Sequence, residues 1–378
     1  MTKRALILSL ASHPAGDGAN QLPPLRVWQQ MDALTKAGWE VDHLEFMRLR
    51  APPIGHFVQR TLLFRRLTQE MVQSALKLPK PDVFIAHDIE TLPAGVKIAR
   101  KLAVPLIYDS HEFWPGVIAP NSRTEAWVAE LLERRALRYV AHVTTSSDSI
   151  ATRFRQLGCP ATVFYNTRRI AEMVATPKDE ARAMLGYSSS AFVMGFIGNL
   201  NELTKGNMID AFFNAMVELP RTRNARALIV GGPDTIVPEL TWRAEDCGLQ
   251  DNVRCTGRLP FEKLAPYYGA LDLGLVLLRP FPSYVMSLAW KFFDYMSRGI
   301  PVLVPDFPDM ARIVHDTGCG WTYESDADLA DKLDEIMRTD PSLRRTMGAA
   351  GRLAFETQFC WDRQAPTFVR VCESLISL

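Results

Sequence analysis

Lys291 and Asp294 stand three residues apart in the stretch 283–304, SYVMSLAWKFFDYMSRGIPVLV. On a helix that spacing puts an ammonium and a carboxylate on one face. Ala289, Phe292, Phe293 and Met296 recur at helical spacing on another, which predicts a helix from about Met286 to Arg298. Gly299 stops it, and Ile300 to Val304 reads as a short buried strand. Ser283 and Ser287 fall at the expected helix start, where unpaired N–H groups and the helix dipole favour an anion. A phosphate there, with Lys291 in the first turns and Asp294 one turn on, describes a nucleoside-diphosphate site. The same residues also suit an ordinary amphipathic helix with a surface Lys–Asp pair.

Two more clusters of reactive types lie upstream. The strand predicted over 82–86 runs into His87 and Asp88, and that over 105–108 into Asp109, Ser110, His111 and Glu112. Adjacent parallel strands thus each deliver a histidine and an acid at their C-terminal ends, the edge where open α/β sheets take ligands. A lone histidine is ordinarily a satisfied hydrogen-bonding residue. Two such clusters at equivalent strand ends point to a site.

Strands and helices alternate from end to end, which implies parallel sheets with crossover helices. A chain of 378 residues with 47% apolar residues suits two domains with full cores. Their expected bounds are 1–170 and 171–358, with 167–178 as the linker and a last helix over 359–378. The glycines of the 11–22 loop (Gly16, Gly18) do not form G-x-G-x-x-G. Residues 47–69 carry five arginines (Arg48, Arg50, Arg60, Arg65, Arg66) and no acid, interleaved with Phe57, Val58, Leu62, Leu63, Phe64 and Leu67. That pattern suits a basic amphipathic helix lying on anionic lipid, and equally one that packs its apolar face inward.

The run K-F-F-D-Y-M-S-R-G-I-P-V at 291–302 closely resembles the K-x-F-E-Y-M-A-x-G-x-P-V signature of GT-B glycosyltransferases, in particular retaining family 4. The resemblance implies an α/β fold of two Rossmann-like domains facing across a cleft, with the C-terminal helix crossing back to the first. It implies a nucleotide-sugar donor, a UDP- or GDP-sugar, held by the second domain. Asp294, in place of the usual Glu, would grip the ribose, and the loop before Lys291, with Ser287, would receive the diphosphate. Where relatives carry a second acid, eight residues earlier, this chain has Met286. The relatives' phosphate turn G-R-x-x-x-x-K-G reads GNLNELTKG here, so Gly198 and Lys205 are kept and Asn199 replaces the arginine. Arg258 falls on a loop that the family often lays against the base. His111 matches a histidine near the transferred sugar, with His87, Asp88 and Glu112 on the acceptor side. His111 and Lys205 are therefore the expected catalytic residues. No metal is needed, because cations and the helix dipole stabilise the leaving diphosphate.

Net charge of +1 argues against a nucleic-acid binder. Residues 1–170 nevertheless hold 22 basic and 15 acidic residues, which suits an anionic membrane surface met through Arg48–Arg66. Six scattered cysteines without a C-x-x-C pair indicate a reduced, cytoplasmic setting, and the basic segment would then place the protein peripherally on the inner face of the membrane. The expected reaction is transfer to a glycan or lipid-linked acceptor in surface polysaccharide biosynthesis. The alternatives are a nucleotide-sugar 2-epimerase or an inverting transferase on the same fold, and a degenerate GT-B protein acting as a binding module.

Overall fold

The computed structural model describes residues 2–11, 24–47, 57–198, 200, 207–219 and 224–376. Asn199, Lys205, Arg48 and Arg50 lie outside them, as does the side chain of Arg60. The chain forms two units, Met1–Asn166 with Asp362–Leu378, and Thr167–Trp361.

Unit 1 is built on a six-stranded sheet of β1 (Arg4–Ala11), β2 (Glu40–Met47), β3 (Val83–His87), β4 (Leu106–Ser110), β5 (His142–Thr145) and β6 (Ala161–Val163). The order is β2-β1-β3-β4-β5-β6 and every pairing is parallel. Ala5–Leu8, Val83–Ala86 and Leu106–Tyr108 are wholly buried. Such continuous apolar runs are what a parallel strand covered on both faces requires. The strand order reverses between β1 and β3, and crevices at such switch points form at the C-terminal ends of the strands. The register places His87 of β3 beside Asp109 of β4. The Trp361–Ile376 helix adds its residues from Asp362 on to this unit, where Gln364 accepts from the Tyr165 N–H at 2.5 Å and Phe368 meets Phe164 edge-on.

The basic segment is a helix from Phe57 to Ala75, while Met47 closes β2 instead of opening that helix. Leu67, Met71 and Ala75 are buried, and the helix packs against the Asp88–Leu102 helix. Arg65 and Arg66 are exposed, as are Leu62 (59%) and Phe64 (39%). Residues 67–75 therefore pack an apolar face inward, and residues 62–66 show bulky apolar and basic groups to solvent.

Unit 2 repeats the plan with β7 (Phe192–Ile197), β8 (Ala225–Val230), β9 (Val253–Cys255), β10 (Leu273–Leu275), β11 (Val302–Pro305) and β12 (Gly320–Tyr323), ordered β12-β11-β10-β7-β8-β9 and parallel throughout. The reversal falls between β7 and β10. Tyr295 fastens its helix there, its hydroxyl donating to the Gly195 carbonyl at 2.9 Å and accepting from the Ile197 N–H at 2.8 Å.

The helix expected from Met286 to Arg298 is broken in two. A short turn covers Pro282–Met286, Ser287–Ala289 are not helical, and the main helix runs from Trp290 to Ser297 with Ala289 at its N-cap. Leu288 is buried from this non-helical stretch. Because it stands four residues before Phe292, it extends the apolar period without extending the helix. Ser283 and Ser287 therefore lie upstream of the helix that carries Lys291.

Candidate active site

Unit 2 holds a cavity of about 610 Å³ where β7 and β8 end. Gly198, Arg258, Lys291 and Asp294 all line it, as do Gly231, Tyr268 and Arg168. Ser287 does not contribute to its wall. The volume is within the range of about 300–1,000 Å³ usual for small-molecule sites.

Two glycines let the backbone close around Lys291. A Cβ on Gly198 would stand 2.7 Å from the Lys291 Cε, and one on Gly231, where φ is +132°, would run into the Gly198 carbonyl. The turns after β7 and β8 can approach each other and the lysine only without side chains. The Lys291 Nζ lies 3.4 Å from the centre of the Phe196 ring. Among the described residues no carboxylate pairs with it, and burial pushes its pKa down to about 7. A buried cation without a counterion is costly, and the lowered pKa reduces that cost by favouring the neutral amine.

Asp294 is held from two sides. Its Oδ2 accepts from the Tyr268 hydroxyl at 3.3 Å, and its Oδ1 lies 3.6 Å from Arg298 and 4.0 Å from Arg168. Burial raises its pKa, against the lowering by Arg298, Arg168 and Tyr268. The Arg298 guanidinium stacks 3.9 Å over Tyr268, and that of Arg168 stacks 3.8 Å over Phe261. Lys291 and Asp294 therefore do not form a surface pair with each other: the acid answers to arginines, and the lysine has no carboxylate partner among the described residues.

In unit 1 the two histidine clusters meet. His87 Nδ1 and His111 Nε2 are 3.0 Å apart. Asp109 Oδ2 lies 3.4 Å from His87 and 3.5 Å from His111. Arg26 Nε donates to both Asp109 oxygens, at 3.1 and 2.9 Å, and Gln30 also donates to Asp109. Asp88 has a left-handed backbone, φ +64°. Its Oδ1 accepts from the His111 N–H and from Trp114 Nε1, each at 3.2 Å, and its Oδ2 lies 3.5 Å from His111 Nδ1. A non-glycine residue held there costs roughly 1–3 kcal/mol and tends to mark a functional site. Both ring nitrogens of His111 thus face protein groups. Glu112 follows, half-buried, its carbonyl accepting from Ser110 Oγ at 3.1 Å.

Burial lowers the His87 pKa to about 3, which keeps that ring neutral. Burial would also lower His111, but Asp88 and Asp109 outweigh it and raise its pKa. Burial opposes the charge on Asp109, yet Arg26, His111 and His87 hold its pKa well below the usual range. The ligand atoms of His87, Asp109 and His111 lie within 4.8 Å of one another, a spacing a divalent ion would accept. Arg26 already occupies both Asp109 oxygens, and a guanidinium so close opposes a second cation.

Arg26, Arg168, Tyr268 and Arg298 escape the sequence reading. Arg26 lies 83 residues from Asp109 and looks like any helix arginine. Arg168 falls in what reads as a linker, although the structure puts it on the pocket wall. Arg298 alone carried a signal: it follows Asp294 by four residues, a helical pairing distance.

Residues 23–167 match the family model described as "Glycosyl transferase 4-like domain", and residues 191–339 match "Glycosyl transferases group 1". A D-inositol 3-phosphate glycosyltransferase of Nocardia farcinica is 31% identical over 198 residues, 49% of this chain and 41% of that protein. A GDP-mannose-dependent alpha-(1-6)-phosphatidylinositol monomannoside mannosyltransferase of Mycobacterium tuberculosis is 24% identical over 309 residues, 77% of this chain and 80% of the relative. Among solved structures, Anabaena HepE in complex with UDP-glucose superposes with a TM-score of 0.71 at 20% identity, covering 98% of this chain and all of that one.

Proposed function

Because this chain belongs to the group 1, family-4-like glycosyltransferases of the GT-B fold, we propose that it transfers a sugar from a UDP- or GDP-sugar to a glycan or lipid-linked acceptor in surface polysaccharide assembly, with retention of configuration. The observation that carries this reading is the enclosed Lys291, with no carboxylate partner among the described residues, beside Gly198 and Gly231 and with Asp294 one turn on. The UDP-glucose in the HepE structure and the GDP-mannose of the mycobacterial relative support the donor class. The phosphatidylinositol-based acceptor of that relative supports a lipid-linked one.

Cleavage of the donor leaves charge on the diphosphate. Lys291, together with Lys205, stabilises that charge where it develops. Asp294 takes the ribose hydroxyls, exchanging the Tyr268 hydroxyl or an arginine for them, and Arg258 lies along the base. Unit 1 is assigned the acceptor. There His111 exchanges one of its protein partners for a sugar or acceptor hydroxyl, while His87, Asp88 and Glu112 shape the surroundings. The exposed Leu62, Phe64, Arg65 and Arg66 seat the protein on the anionic inner face of a membrane, each basic residue contributing about 1 kcal/mol at low salt. Among the described residues no helix is long and apolar enough to cross a bilayer.

Thermal-shift measurements with UDP, GDP, ADP and CMP test the donor assignment. At a hundredfold excess over Kd, UDP or GDP should stabilise the protein by about 2.7 kcal/mol. The Lys291→Ala variant should lose that shift, and a wild type indifferent to all four nucleotides would sink the reading. Co-sedimentation with phosphatidylglycerol vesicles tests the surface: wild type should pellet at low salt and Arg65→Gln/Arg66→Gln should not. Wild type left in the supernatant would remove the membrane from the account.

A further inference from the structure

Unit 2 contains a second cavity, of about 320 Å³, that the donor reading leaves without a task. Its wall includes Asp272 and Pro301, which immediately precede β10 and β11. It therefore lies at the edge where those strands start, whereas the donor pocket lies where β7 and β8 end. Tyr268 lines both cavities.

The charges around this cavity do not balance. Lys178, Arg298, Arg344 and Arg345 line it against a single acid, Asp272. That carboxylate is already shared between Lys178, at 2.5 Å, and Arg182. Arg298 is committed to Asp294. Arg344 donates to the carbonyls of Ile336 and Thr339, and its guanidinium lies 5.0 Å from the centre of the Phe192 ring. Among the described residues no carboxylate lies within 4 Å of Arg344 or Arg345, although Asp340 attracts both and Asp272 attracts Arg344. Burial lowers the Arg344 pKa, against the raising by Asp272 and Asp340. Lys178, Arg182, Arg298, Arg344 and Arg345 together outnumber Asp272, Asp294 and Asp340, so positive charge stays in excess around the cavity, and an anion there would offset it.

We propose that this cavity is a binding site for a small phosphorylated anion, with Lys178, Arg344 and Arg345 as its cationic contacts. Planar guanidinium groups beside a mobile ammonium suit a phosphate monoester or diphosphate. The volume fits a ligand of modest size. Because Tyr268 and Arg298 also hold Asp294, an occupant here is linked to the donor pocket, and each ligand alters the other's affinity by the same factor.

Calorimetric titration with inorganic pyrophosphate separates the two sites, since a diphosphate probe also suits Lys291. Wild type should bind two equivalents. Lys291→Ala should keep the one in the second cavity. Lys178→Gln/Arg345→Gln alters two exposed side chains, so its melting curve should match wild type. It should keep the donor-pocket equivalent while the other weakens about tenfold or more. One wild-type equivalent that vanishes in Lys291→Ala would overturn the proposal, as would two equivalents of undiminished affinity in Lys178→Gln/Arg345→Gln. One equivalent that survives Lys291→Ala and is lost in the double variant would support the second site and count against the donor pocket instead.

Discussion

The two units share a plan and differ in how they handle charge. Each is a six-stranded parallel sheet with reactive side chains at the C-terminal edge. In unit 1 the buried charges satisfy one another: Arg26 clamps Asp109, Asp109 faces both histidines, and Asp88 supports His111. In unit 2 the pocket leaves Lys291 enclosed, with burial lowering its pKa and, among the described residues, no acid to oppose that. Self-satisfied charge makes a rigid scaffold that presents a few groups. Unsatisfied charge makes a binding site, because the missing partner has to come from solution. On the proposed reading, this difference suits anion binding in unit 2 and positioning in unit 1.

The largest effect should come from breaking the scaffold. Asp109→Ala leaves Arg26 buried without its partner, and loss of one member of such a pair costs about 3–5 kcal/mol. Chemical denaturation should show unit 1 destabilised by that amount, with nucleoside-diphosphate binding by the folded protein retained. A stability equal to wild type would mean that the Arg26–Asp109 pair contributes nothing beyond a neutral contact.

Lys291→Ala should act the opposite way. It removes a burdened cation, so stability should hold or rise, while turnover falls by roughly 10²–10³ if the lysine meets charge that develops in the transition state. Normal turnover in a folded variant would take Lys291 out of the site. His111→Ala should come next, lowering transfer about 10- to 100-fold while nucleotide binding stays within twofold of wild type. Equal loss of both would erase the division of labour between the units.

Asp294→Asn should have a smaller effect, raising the donor KM more than it lowers kcat, as expected of a residue that grips the ribose equally in ground and transition states. Steady-state kinetics at saturating acceptor would decide it. A fall confined to kcat would place Asp294 at the reacting bond instead.

Much of this arrangement is legible in the sequence, because local periodicity and strand-end position are local properties. His87, Asp88 and His111 could be placed at one sheet edge from the two strands that precede them. Gly198, Arg258, Lys291 and Asp294 could be gathered by resemblance, and they line one pocket. The partners could not be read off. Asp109 reads as one more acid in a run until the β3–β4 register sets it beside His87 and the fold brings Arg26 across 83 residues. Arg168 sits in a segment with little regular structure, so nothing in its surroundings announces a pocket wall. The false helix start at Met286 has the same origin: Leu288 buries at a helical interval from Phe292 although the chain there is not helical.

The pH dependence of nucleoside-diphosphate binding tests the central claim most directly. With its pKa lowered to about 7, Lys291 is increasingly neutral in the free protein above that pH. A bound diphosphate favours the ammonium and raises its pKa, so binding takes up a proton. Titration calorimetry with UDP or GDP from pH 7.5 to 9.5 should show affinity falling towards about tenfold per pH unit, and Lys291→Ala should bind weakly with little dependence on pH. Wild-type affinity that stays flat across that range, or rises with pH, would contradict the assignment of Lys291 as the cation that receives the diphosphate.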